Sequence, residues 1–465
     1  MTKESYNFRD RLATIDEKGQ RVWVYAKKPK GKLTQARTIL GVFLMLLFFA
    51  GPFLTMNGEP VLLLNFIERR FVFFGVQFWP QDFHLFFLAM ISLRVFIILF
   101  TVTYGRLFCG WACPQTIFME MVFRKIEYLI EGNANQQKEL EKQPWNFEKI
   151  WKKALKHLIF YVISLVITNF FLMYIIGYDG WKSLYHEGLS SNLLGFIGML
   201  VFAGVFYFIF SWFREQVCTI VCPYGRLQGV LLDRKSIVIS YDYKRGEPRG
   251  PLSKSEDRNL SGKGDCVNCL ACVQVCPTGI DIRNGTQLEC INCACCIDAC
   301  DAVMKKAGFK PRLIKYASET MIAESQKFKF SVRTLAYSSV LVVLLGVITF
   351  SLLSRTAIEA TVLRAPGMLF QDQGEGKFSN LYNIKLVNKT NANIPVEVKL
   401  LSHQGEVKII GENINVDKQS VGESVFFIIL DQSQIKSEEM KIQVGIYSGD
   451  KMIEETEATF FGPKL

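Results

Sequence analysis

Eight cysteines in two matching runs limit the folds open to this chain more than any other feature does. Both runs have the spacing C-x2-C-x2-C-x3-C. The first run consists of Cys266, Cys269, Cys272 and Cys276, and the second of Cys290, Cys293, Cys296 and Cys300. This is the spacing of ferredoxins that hold two [4Fe-4S] clusters. The sequence therefore predicts a two-cluster, ferredoxin-like α+β domain.

The spacing also predicts which cysteines share a cluster. Three closely spaced thiolates bind one face of a [4Fe-4S] cube, and the last cysteine of each run ligates the other cluster. Cluster I is thus assigned to Cys266, Cys269, Cys272 and Cys300, and cluster II to Cys290, Cys293, Cys296 and Cys276. Cys295 falls outside the pattern and is interpreted as a small buried residue.

Zinc is the alternative metal for these cysteines, because it also binds four thiolates supplied by C-x2-C pairs. Zinc sites usually separate two such pairs by a longer spacer. Two matching runs of four cysteines therefore favour iron-sulfur clusters over zinc.

The composition indicates a membrane protein. Half of the 465 residues are hydrophobic and 38 are phenylalanine, which is a high content for a soluble protein. Five apolar runs are long enough to cross a bilayer core of about 30 Å as helices. They occupy residues 38–56, 83–104, 158–177, 193–213 and 335–353. Five transmembrane α-helices are therefore predicted.

Basic residues indicate which ends of these helices face the cytoplasm. Ten Lys or Arg lie within residues 1–37 and nine within 105–157, whereas 57–81 and 178–191 together contain three. By the positive-inside rule, the two basic segments are cytoplasmic. The cluster domain, which follows the fourth span, is expected on the same side, and the fifth span exports the C-terminus. The net charge of +11 fits contact with anionic lipid better than with nucleic acid.

The last hundred residues have a different pattern. Residues 356–465 contain no cysteine and alternate apolar and polar side chains in runs such as VEVKLL and KIQVGIY. This alternation predicts short antiparallel strands in an all-β sandwich, for which a binding or assembly role is expected. The predicted organisation is a basic arm (1–37), a four-helix membrane core (38–213), the cluster domain (214–331), a fifth span (332–355) and the sandwich (356–465).

A second cysteine motif, C-x3-C-P, occurs twice in the membrane core. Cys109 and Cys113 follow the second span, and Cys218 and Cys222 follow the fourth. These equivalent positions are expected to bring four thiols to one membrane face. Because proline disfavours helical geometry at the residue before it, a helix is expected to end at Cys113 and at Cys222.

Converging thiolates favour soft-metal chemistry, in which Cu(I) is held better than Cu(II). Two alternatives stay open from the residues alone. The thiols form a redox dithiol that exchanges electrons with a cluster, or they are buried helix-end cysteines without a ligand. Arg94 is a weaker candidate, because a charge in the middle of a span marks either a functional residue or a structural pair within the bundle.

Several blocks of sequence resemble one family, and together they cover nearly the whole chain. They are TIDEKGQRVWVY, FWPQDF, GRLFCGWACPQTIFMEMVFRKIEYLIEG, REQVCTIVCPYGRLQGVLLDRKS and CPTGIDIRNGTQLECINC. These blocks resemble the cytochrome c oxidase accessory proteins, the CcoG, FixG or RdxA family of membrane-bound polyferredoxins. The resemblance implies that the sandwich is immunoglobulin-like and periplasmic, and that the protein is a multi-pass protein of the bacterial inner membrane with a cytoplasmic N-terminus.

The resemblance also implies a function, which is electron transfer in the assembly of cbb3-type cytochrome c oxidase, with Cu(II) reduced to Cu(I) on the cytoplasmic face. The eight ferredoxin cysteines would hold the clusters. The catalytic and copper-binding residues would be Cys109, Cys113, Cys218 and Cys222. The implied partners are oxidase assembly factors, copper-handling proteins and a cytosolic electron donor, and a homodimer is compatible with this role.

Two other functions stay open. Membrane ferredoxins of the NapH type share a four-span core with two C-x3-C-P motifs and pass electrons from quinol, although the C-terminal sandwich resembles the accessory proteins instead. In a non-redox assembly scaffold, the clusters would only stabilise the cytoplasmic domain.

Overall fold

The structure is a computed structural model. It describes residues 13–16, 18–56, 58–66, 70–78, 82–186, 192–252, 258, 262–325, 331–354, 358–367, 369–390, 392–411, 414–418 and 420–463. The chain divides into two compact units, one of residues 1–56, 60–74 and 80–346, the other of residues 57–59, 75–79 and 347–465. The membrane core and the cluster domain therefore belong to one unit, and the sandwich belongs to the other.

Five helices of the described residues are long and apolar enough to cross a membrane, which confirms the predicted architecture. Span 1 is Lys32–Phe53, span 2 is Phe83–Tyr104, span 3 is Phe147–His186, span 4 is Leu193–Phe213 and span 5 is Val332–Leu353. Spans 2 and 4 have the predicted bounds.

The other three spans begin earlier than the apolar runs 38–56, 158–177 and 335–353 indicate. Their first turns are polar, and hydropathy detects only the part of a helix that is apolar. The predicted boundary between arm and core at residue 37 consequently lies inside span 1. Of the predicted arm, residues 1–12 and 17 lie outside the described residues.

Short helices follow spans 2 and 4. After span 2 they are Leu107–Trp111, Pro114–Ile117, the π-helix Phe118–Phe123, Arg124–Ile130 and Ala134–Lys142. After span 4, whose last turn Ile209–Phe213 is π-helical, they are the π-helix Val217–Val221 and the helix Pro223–Leu231. Span 3 is kinked at Gly177, whose φ of 77° lies outside the helical region.

Outside the sandwich, short strands occur between spans 1 and 2 and in the cluster domain. Before span 2 lie β1 (Thr55–Met56), β2 (Glu59–Pro60), β3 (Leu62–Asn65), β4 (Arg70–Phe73) and β5 (Val76–Phe78), of which β3 and β4 pair antiparallel. In the cluster domain, β6 (Val238–Tyr241) pairs antiparallel with β7 (Ile314–Ala317). The helices of this domain are Tyr243–Gly246, Ala271–Gln274, Cys295–Lys306 and Glu319–Ala323, with a 3-10 turn at Ile282–Asn284.

Aromatic packing holds spans 3 and 4 against the connecting helices. Phe123, Phe160 and Phe210 are all buried. The Phe123 ring stacks on Phe210 at 4.4 Å between centroids and meets Phe160 edge-on at 4.8 Å. Such pairs stabilise a fold beyond the burial of their area, and they give a structural role to part of the high phenylalanine content.

The cluster domain caps the first helix of the membrane core. Gly31, the residue before span 1, has no side chain to accept a hydrogen bond from the first turn. Asp298, on the helix Cys295–Lys306, takes that role by accepting from the backbone N–H groups of Leu33 and Thr34 at 3.3 and 2.7 Å. Its carboxylate also accepts from the Thr34 hydroxyl at 2.8 Å. Span 1 therefore begins at residues that a distant acid holds in place.

The second unit is an antiparallel β-sandwich, as predicted. Its strands are β8 (Ile358–Arg364), β9 (Gln371–Gly374), β10 (Lys377–Asn388), β11 (Ile394–Leu400), β12 (Gly405–Ile410), β13 (Ile414–Val416), β14 (Val421–Asp431), β15 (Glu439–Ser448) and β16 (Lys451–Phe461). One sheet has the order β12-β14-β10-β8, with β9 also paired to β10, and the other has the order β13-β11-β15-β16. Tyr382 is fully buried between them, stacks on Phe426 and donates to the Thr459 carbonyl at 2.9 Å.

Replacing the capping acid tests how firmly the cluster domain holds span 1. In Asp298→Ala, the amides of Leu33 and Thr34 lose their acceptor, which costs about 1 to 3 kcal/mol for a buried group. We expect hydrogen exchange of the first turn of span 1 to accelerate by about tenfold or more, measured by mass spectrometry on the full chain. Lys306→Ala, an exposed change on the same helix, is the control. Equal exchange in both variants would show that Asp298 is not the cap.

Candidate functional site

The two cysteine runs fold into two copies of one backbone turn. In the first run, Asn268 and Leu270 have positive φ angles of 53° and 58°, and in the second run Asn292 and Ala294 have 55° and 64°. A helix begins directly after each turn. Left-handed residues among right-handed ones turn backbone N–H groups toward a common concavity, which is a frequent surrounding for iron-sulfur clusters.

Each turn contributes to two cavities, and each cavity is lined by four cysteines that match one predicted cluster. Cavity 1 is lined by Cys266, Cys269, Cys272 and Cys300. Cavity 2 is lined by Cys276, Cys290, Cys293 and Cys296, and also by Cys272. Three cysteines of one run thus meet the last cysteine of the other run, which is the donor set that two [4Fe-4S] clusters require.

The spacing of the cysteines also bears on zinc. Among the residues that the structure describes, no three His, Cys, Asp or Glu side chains close around a point as a single bound ion requires. A cube of iron and sulfide is larger than one ion, so its cysteines stand further apart. The preference for clusters over zinc rests on the two matching runs of four cysteines.

Burial governs the protonation of these cysteines. It raises the pKa of Cys272, Cys290 and Cys300 to about 12, because a thiolate in apolar surroundings loses its hydration. Ligation requires the thiolate form. Loading of the cavities must therefore displace protons from the thiols.

The two C-x3-C-P motifs lie beyond the ends of spans 2 and 4. Cys109 belongs to the helix Leu107–Trp111, and Cys218 to the π-helix Val217–Val221. Cys113 and Cys222 have extended backbone, with ψ of 125° and 110°, and each precedes a proline that starts the next helix. The predicted end of helical geometry at Cys113 and Cys222 is confirmed.

The four motif cysteines, which we call the membrane-end thiols, lie near one another. Burial raises the pKa of Cys218 to about 12, and the charges of Cys113, Cys109 and Cys222 add to this rise. Burial likewise raises the pKa of Cys109 to about 11, against the opposing charge of Arg106. Gln115 and Thr116, which follow the first motif, line one small cavity together with Cys218 of the second, so the structure brings the two motifs together.

Polar partners fix the membrane-end thiols. The Cys109 thiol donates to the Gln228 side-chain oxygen at 3.0 Å, and Gln228 in turn donates to the Thr101 hydroxyl at 3.3 Å. Arg106 joins the two cysteine systems, because its guanidinium donates to the carbonyl of Leu288, just before the second cysteine run, and to that of Cys218 at 3.4 Å.

The first motif packs directly on the turn that lines cavity 2. A Cβ atom added at Gly110 would meet the Ile291 carbonyl oxygen and would stand 2.9 Å from the backbone of Cys293. Only a glycine permits this approach. The neighbouring Trp111 donates from its indole to the Asn292 carbonyl at 3.3 Å. The first C-x3-C-P motif therefore lies against the backbone of Cys293, a predicted ligand of cluster II.

A buried arginine of span 1 also joins this contact. Arg37 donates to the Gly110 carbonyl at 2.6 Å and to the Cys295 sulfur at 3.5 Å. Cys295 is buried, as predicted. Sequence reasoning missed Arg37, Arg106 and Asp298. The one signal for Arg37 is a charge at the edge of an apolar run.

Arg94 is placed outside these contacts. It lies on the exposed surface of span 2, away from the membrane-end thiols, and the structure does not place it inside the bundle. One of the two interpretations of Arg94 is a structural pair within the bundle. No such pair is observed among the described residues.

Three models of known protein families match segments of this chain. The family model described as "4Fe-4S dicluster domain" matches residues 213–319, and "4Fe-4S binding domain" matches residues 86–131. The model described as "IG-like fold at C-terminal of FixG" matches residues 348–463.

Relatives match over most of the chain. Nitrogen fixation protein FixG of Rhizobium meliloti is 32% identical over 78% of this chain and 76% of its own length. The chain belongs to the FixG family. Two further FixG-family relatives come from Cereibacter sphaeroides. Protein RdxA is 35% identical over 75% of both chains, and Protein RdxB is 35% identical over 79% of both. Iron-sulfur electron transfer at a membrane is thus the chemistry of this FixG-family chain.

The cluster assignment predicts different iron contents for two neighbouring cysteines. Cys300→Ser removes a predicted ligand of cluster I, so we expect iron to fall from about eight to about four per chain. Cys295→Ser changes a residue outside both cavities and should leave about eight. Iron analysis with electron paramagnetic resonance on anaerobically purified protein measures both. A loss of four irons in Cys295→Ser would overturn the assignment.

The contact at Gly110 predicts a steric effect. Gly110→Ala places a methyl group against backbone that has no rotamer to change, so we expect a destabilisation of about 1 to 3 kcal/mol. The matched control is Gly204→Ala in span 4, where an added Cβ meets nothing within 4 Å. Thermal unfolding of the full chain in detergent compares the two. Equal midpoints would mean that the motif does not pack on the turn.

Proposed function

We propose that this chain reduces Cu(II) to Cu(I) at the membrane-end thiols, and that the Cu(I) serves the assembly of a cbb3-type cytochrome oxidase. One observation carries the proposal. The motif that contains Cys109 and Cys113 packs through Gly110 on the backbone of Ile291 and Cys293, so the thiols adjoin predicted cluster II.

The donor set suits the reaction. Reduction of Cu(II) consumes one electron, and [4Fe-4S] clusters, when bound, carry electrons singly. Thiolates are soft ligands that stabilise Cu(I) relative to Cu(II), which favours reduction. Two thiolates suffice to hold Cu(I), so the proposal does not require all four to share one ion. Binding releases the protons that burial keeps on Cys109 and Cys218.

The surroundings suit retention of the product. Cys109 is buried and bonded to Gln228, which fixes the direction of its thiol. The positive charge of Arg106 favours thiolate at Cys109 and Cys218. A buried, sulfur-rich site with a nearby cation holds a soft monovalent ion and limits its contact with water and oxygen.

The compartments and partners are part of the proposal. The basic arm and the cluster domain would face the cytoplasm, where thiols stay reduced. The immunoglobulin-like sandwich would face the periplasm of the inner membrane and bind oxidase assembly factors or copper-handling proteins. Its sheets offer exposed edges for such partners.

A second candidate function has its own support. The "4Fe-4S binding domain" match at residues 86–131 contains Cys109 and Cys113, and this favours a further cluster held by the membrane-end thiols. The chain would then be an electron conduit without copper. About twelve irons per chain would indicate the conduit, and about eight the copper reductase.

The copper proposal predicts a specific loss in serine variants. We expect protein that has been reduced with dithionite and freed of excess reductant to convert Cu(II) to Cu(I), detected as loss of the Cu(II) electron paramagnetic resonance signal before any denaturation. Cys218→Ser, which removes a soft ligand, should lower the yield by about tenfold or more. Cys295→Ser is the control, because this cysteine belongs to neither set. Unchanged Cu(I) yield in Cys218→Ser, or in Cys109→Ser, would refute the proposal.

A further inference from the structure

A cavity of about 400 Å³ lies apart from the cysteine sites. It is formed where the arm meets spans 3 and 4. Trp23 and Tyr25 line it from the arm, His157 from span 3, and Tyr207 and Trp212 from span 4. We call it the interface cavity. Its volume is in the range that holds the ring of a small ligand.

The interface cavity lies at the edge of the membrane. His157 directly precedes the apolar run that starts at residue 158, and Trp212 lies at the end of the run 193–213. Phe208 and Trp212 are 49% and 46% exposed on the surface of span 4, which gives the cavity a side toward lipid. Glu141 lines the opposite side, and its side chain is 53% exposed. One side of the cavity is therefore apolar and the other meets water.

The charges that line the interface cavity are balanced, because three carboxylates face three cations. The pairs are Arg214 with Glu127 at 2.8 Å, Lys156 with Glu131 at 2.8 Å, and Lys153 with Glu141 at 2.9 Å. A nucleotide donor such as NADH or a flavin nucleotide carries phosphates, which need cations that are not already neutralised. The lining favours a neutral ligand instead.

Aromatic and hydrogen-bonding groups complete the lining. The Tyr207 hydroxyl and the His157 Nδ1 atom are 2.9 Å apart, so this pair offers polar atoms beside the aromatic rings. Trp23 and Trp212 add aromatic surface to the lining, where the Arg21 guanidinium lies 3.9 Å over the Trp23 ring and Phe208 stacks on Trp212. A flat, neutral, lipid-soluble ring with hydroxyl or carbonyl ends has the matching chemistry.

A buried chain of ion pairs connects this cavity with the cluster region. Arg214 lies 3.6 Å from the Glu215 carboxylate, which lies 3.9 Å from Arg124. Arg124 donates to the carbonyl of Pro277 at 3.5 Å, and Pro277 follows the cavity 2 residue Cys276. The amide of Cys218 also donates to the Glu215 carbonyl at 3.2 Å. The interface cavity is thus a few contacts from cavity 2 and from a membrane-end thiol.

We propose that the interface cavity binds a membrane quinol, which supplies the electrons for copper reduction. This inference rests on the proposed function and replaces the cytosolic donor expected from the sequence. One quinol loses two electrons and two protons and becomes a quinone, while two Cu(II) ions gain one electron each and become Cu(I). The two protons leave to water on the Glu141 side.

Binding can be tested without copper. The full chain is placed in nanodiscs, and the quenching of tryptophan fluorescence by decylubiquinone is measured, since Trp23 and Trp212 line the cavity. We expect saturable quenching. Ser211→Phe, which adds a ring to a residue that lines the cavity, should weaken the apparent affinity at least about tenfold. Ser339→Phe, on an exposed face of span 5, should match the unmodified chain.

A second, smaller substitution distinguishes a loss of quinone binding from misfolding of the chain. Tyr207→Phe removes only the hydroxyl that bonds His157 and should weaken binding about three- to tenfold. Quenching that rises linearly without saturation, or equal affinity in the unmodified chain, Ser211→Phe and Tyr207→Phe, would overturn the quinol site.

Copper reduction separates this inference from the proposed function. With reduced decylubiquinone as donor, we expect the unmodified chain to form Cu(I) and Ser211→Phe to lose at least about tenfold. When both proteins are first reduced with dithionite and then freed of excess reductant, they should form Cu(I) equally. Suppose that neither the unmodified chain nor Ser211→Phe forms Cu(I) after reduction with dithionite, while Ser211→Phe has lost quinone binding. The copper function then fails and the quinone site stands. If dithionite supports copper reduction but quinol does not, the donor assignment fails alone.

Discussion

Close backbone contact at Gly110 is the constraint on which the chemistry of this protein depends. A side chain as small as alanine would collide with the turn at Ile291–Cys293, so the motif that carries Cys109 and Cys113 lies directly on the residues that line cavity 2. Hydrogen bonds stabilise the same contact, from Arg37 to the Gly110 carbonyl and from Trp111 to the Asn292 carbonyl. A rigid contact of this kind fixes the distance between the first C-x3-C-P motif and cavity 2, which loops alone would leave variable.

The membrane helices are consequently part of the cluster domain's framework. Span 1 starts at a cap supplied by Asp298, and the residues after spans 2 and 4 carry the membrane-end thiols. Buried ion pairs also join the connecting helices to the end of span 4, as between Glu127 and Arg214. Breaking a buried pair leaves an uncompensated charge, so these contacts maintain the arrangement around the thiols. They also place the interface cavity within a few contacts of Cys276.

Much of this organisation follows from sequence patterns that act locally. The apolar runs of spans 2 and 4 have the helix bounds, because each helix ends with its run at a residue of positive φ, Gly105 after span 2 and Arg214 after span 4. The proline after Cys113 and Cys222 imposes extended backbone at each. Three cysteines of each run lie with the last cysteine of the other run, as the repeated spacing predicts. The equal spacing is matched by equal backbone, because the turns at Asn268 and Asn292 have the same conformation.

What sequence reasoning could not provide depends on contacts between distant residues. The early start of span 1 requires Asp298, more than 260 positions away, and the role of Arg37 requires Gly110 and Cys295. Hydropathy treats Arg37 as the last residue of a basic arm. The interface cavity combines residues from the arm, the connecting helices and two spans, and no single one of these segments has a motif for it.

Electron counting is the most direct test of copper reduction next to the clusters. Fully reduced, anaerobic protein would be titrated with Cu(II) while electron paramagnetic resonance follows reduced clusters and Cu(II) together. The account predicts that about two Cu(I) form per chain as the signals of two reduced clusters disappear in parallel, and that Cys109→Ser combined with Cys218→Ser abolishes this. Persistence of reduced clusters beside unreduced Cu(II) in the unmodified chain would contradict it.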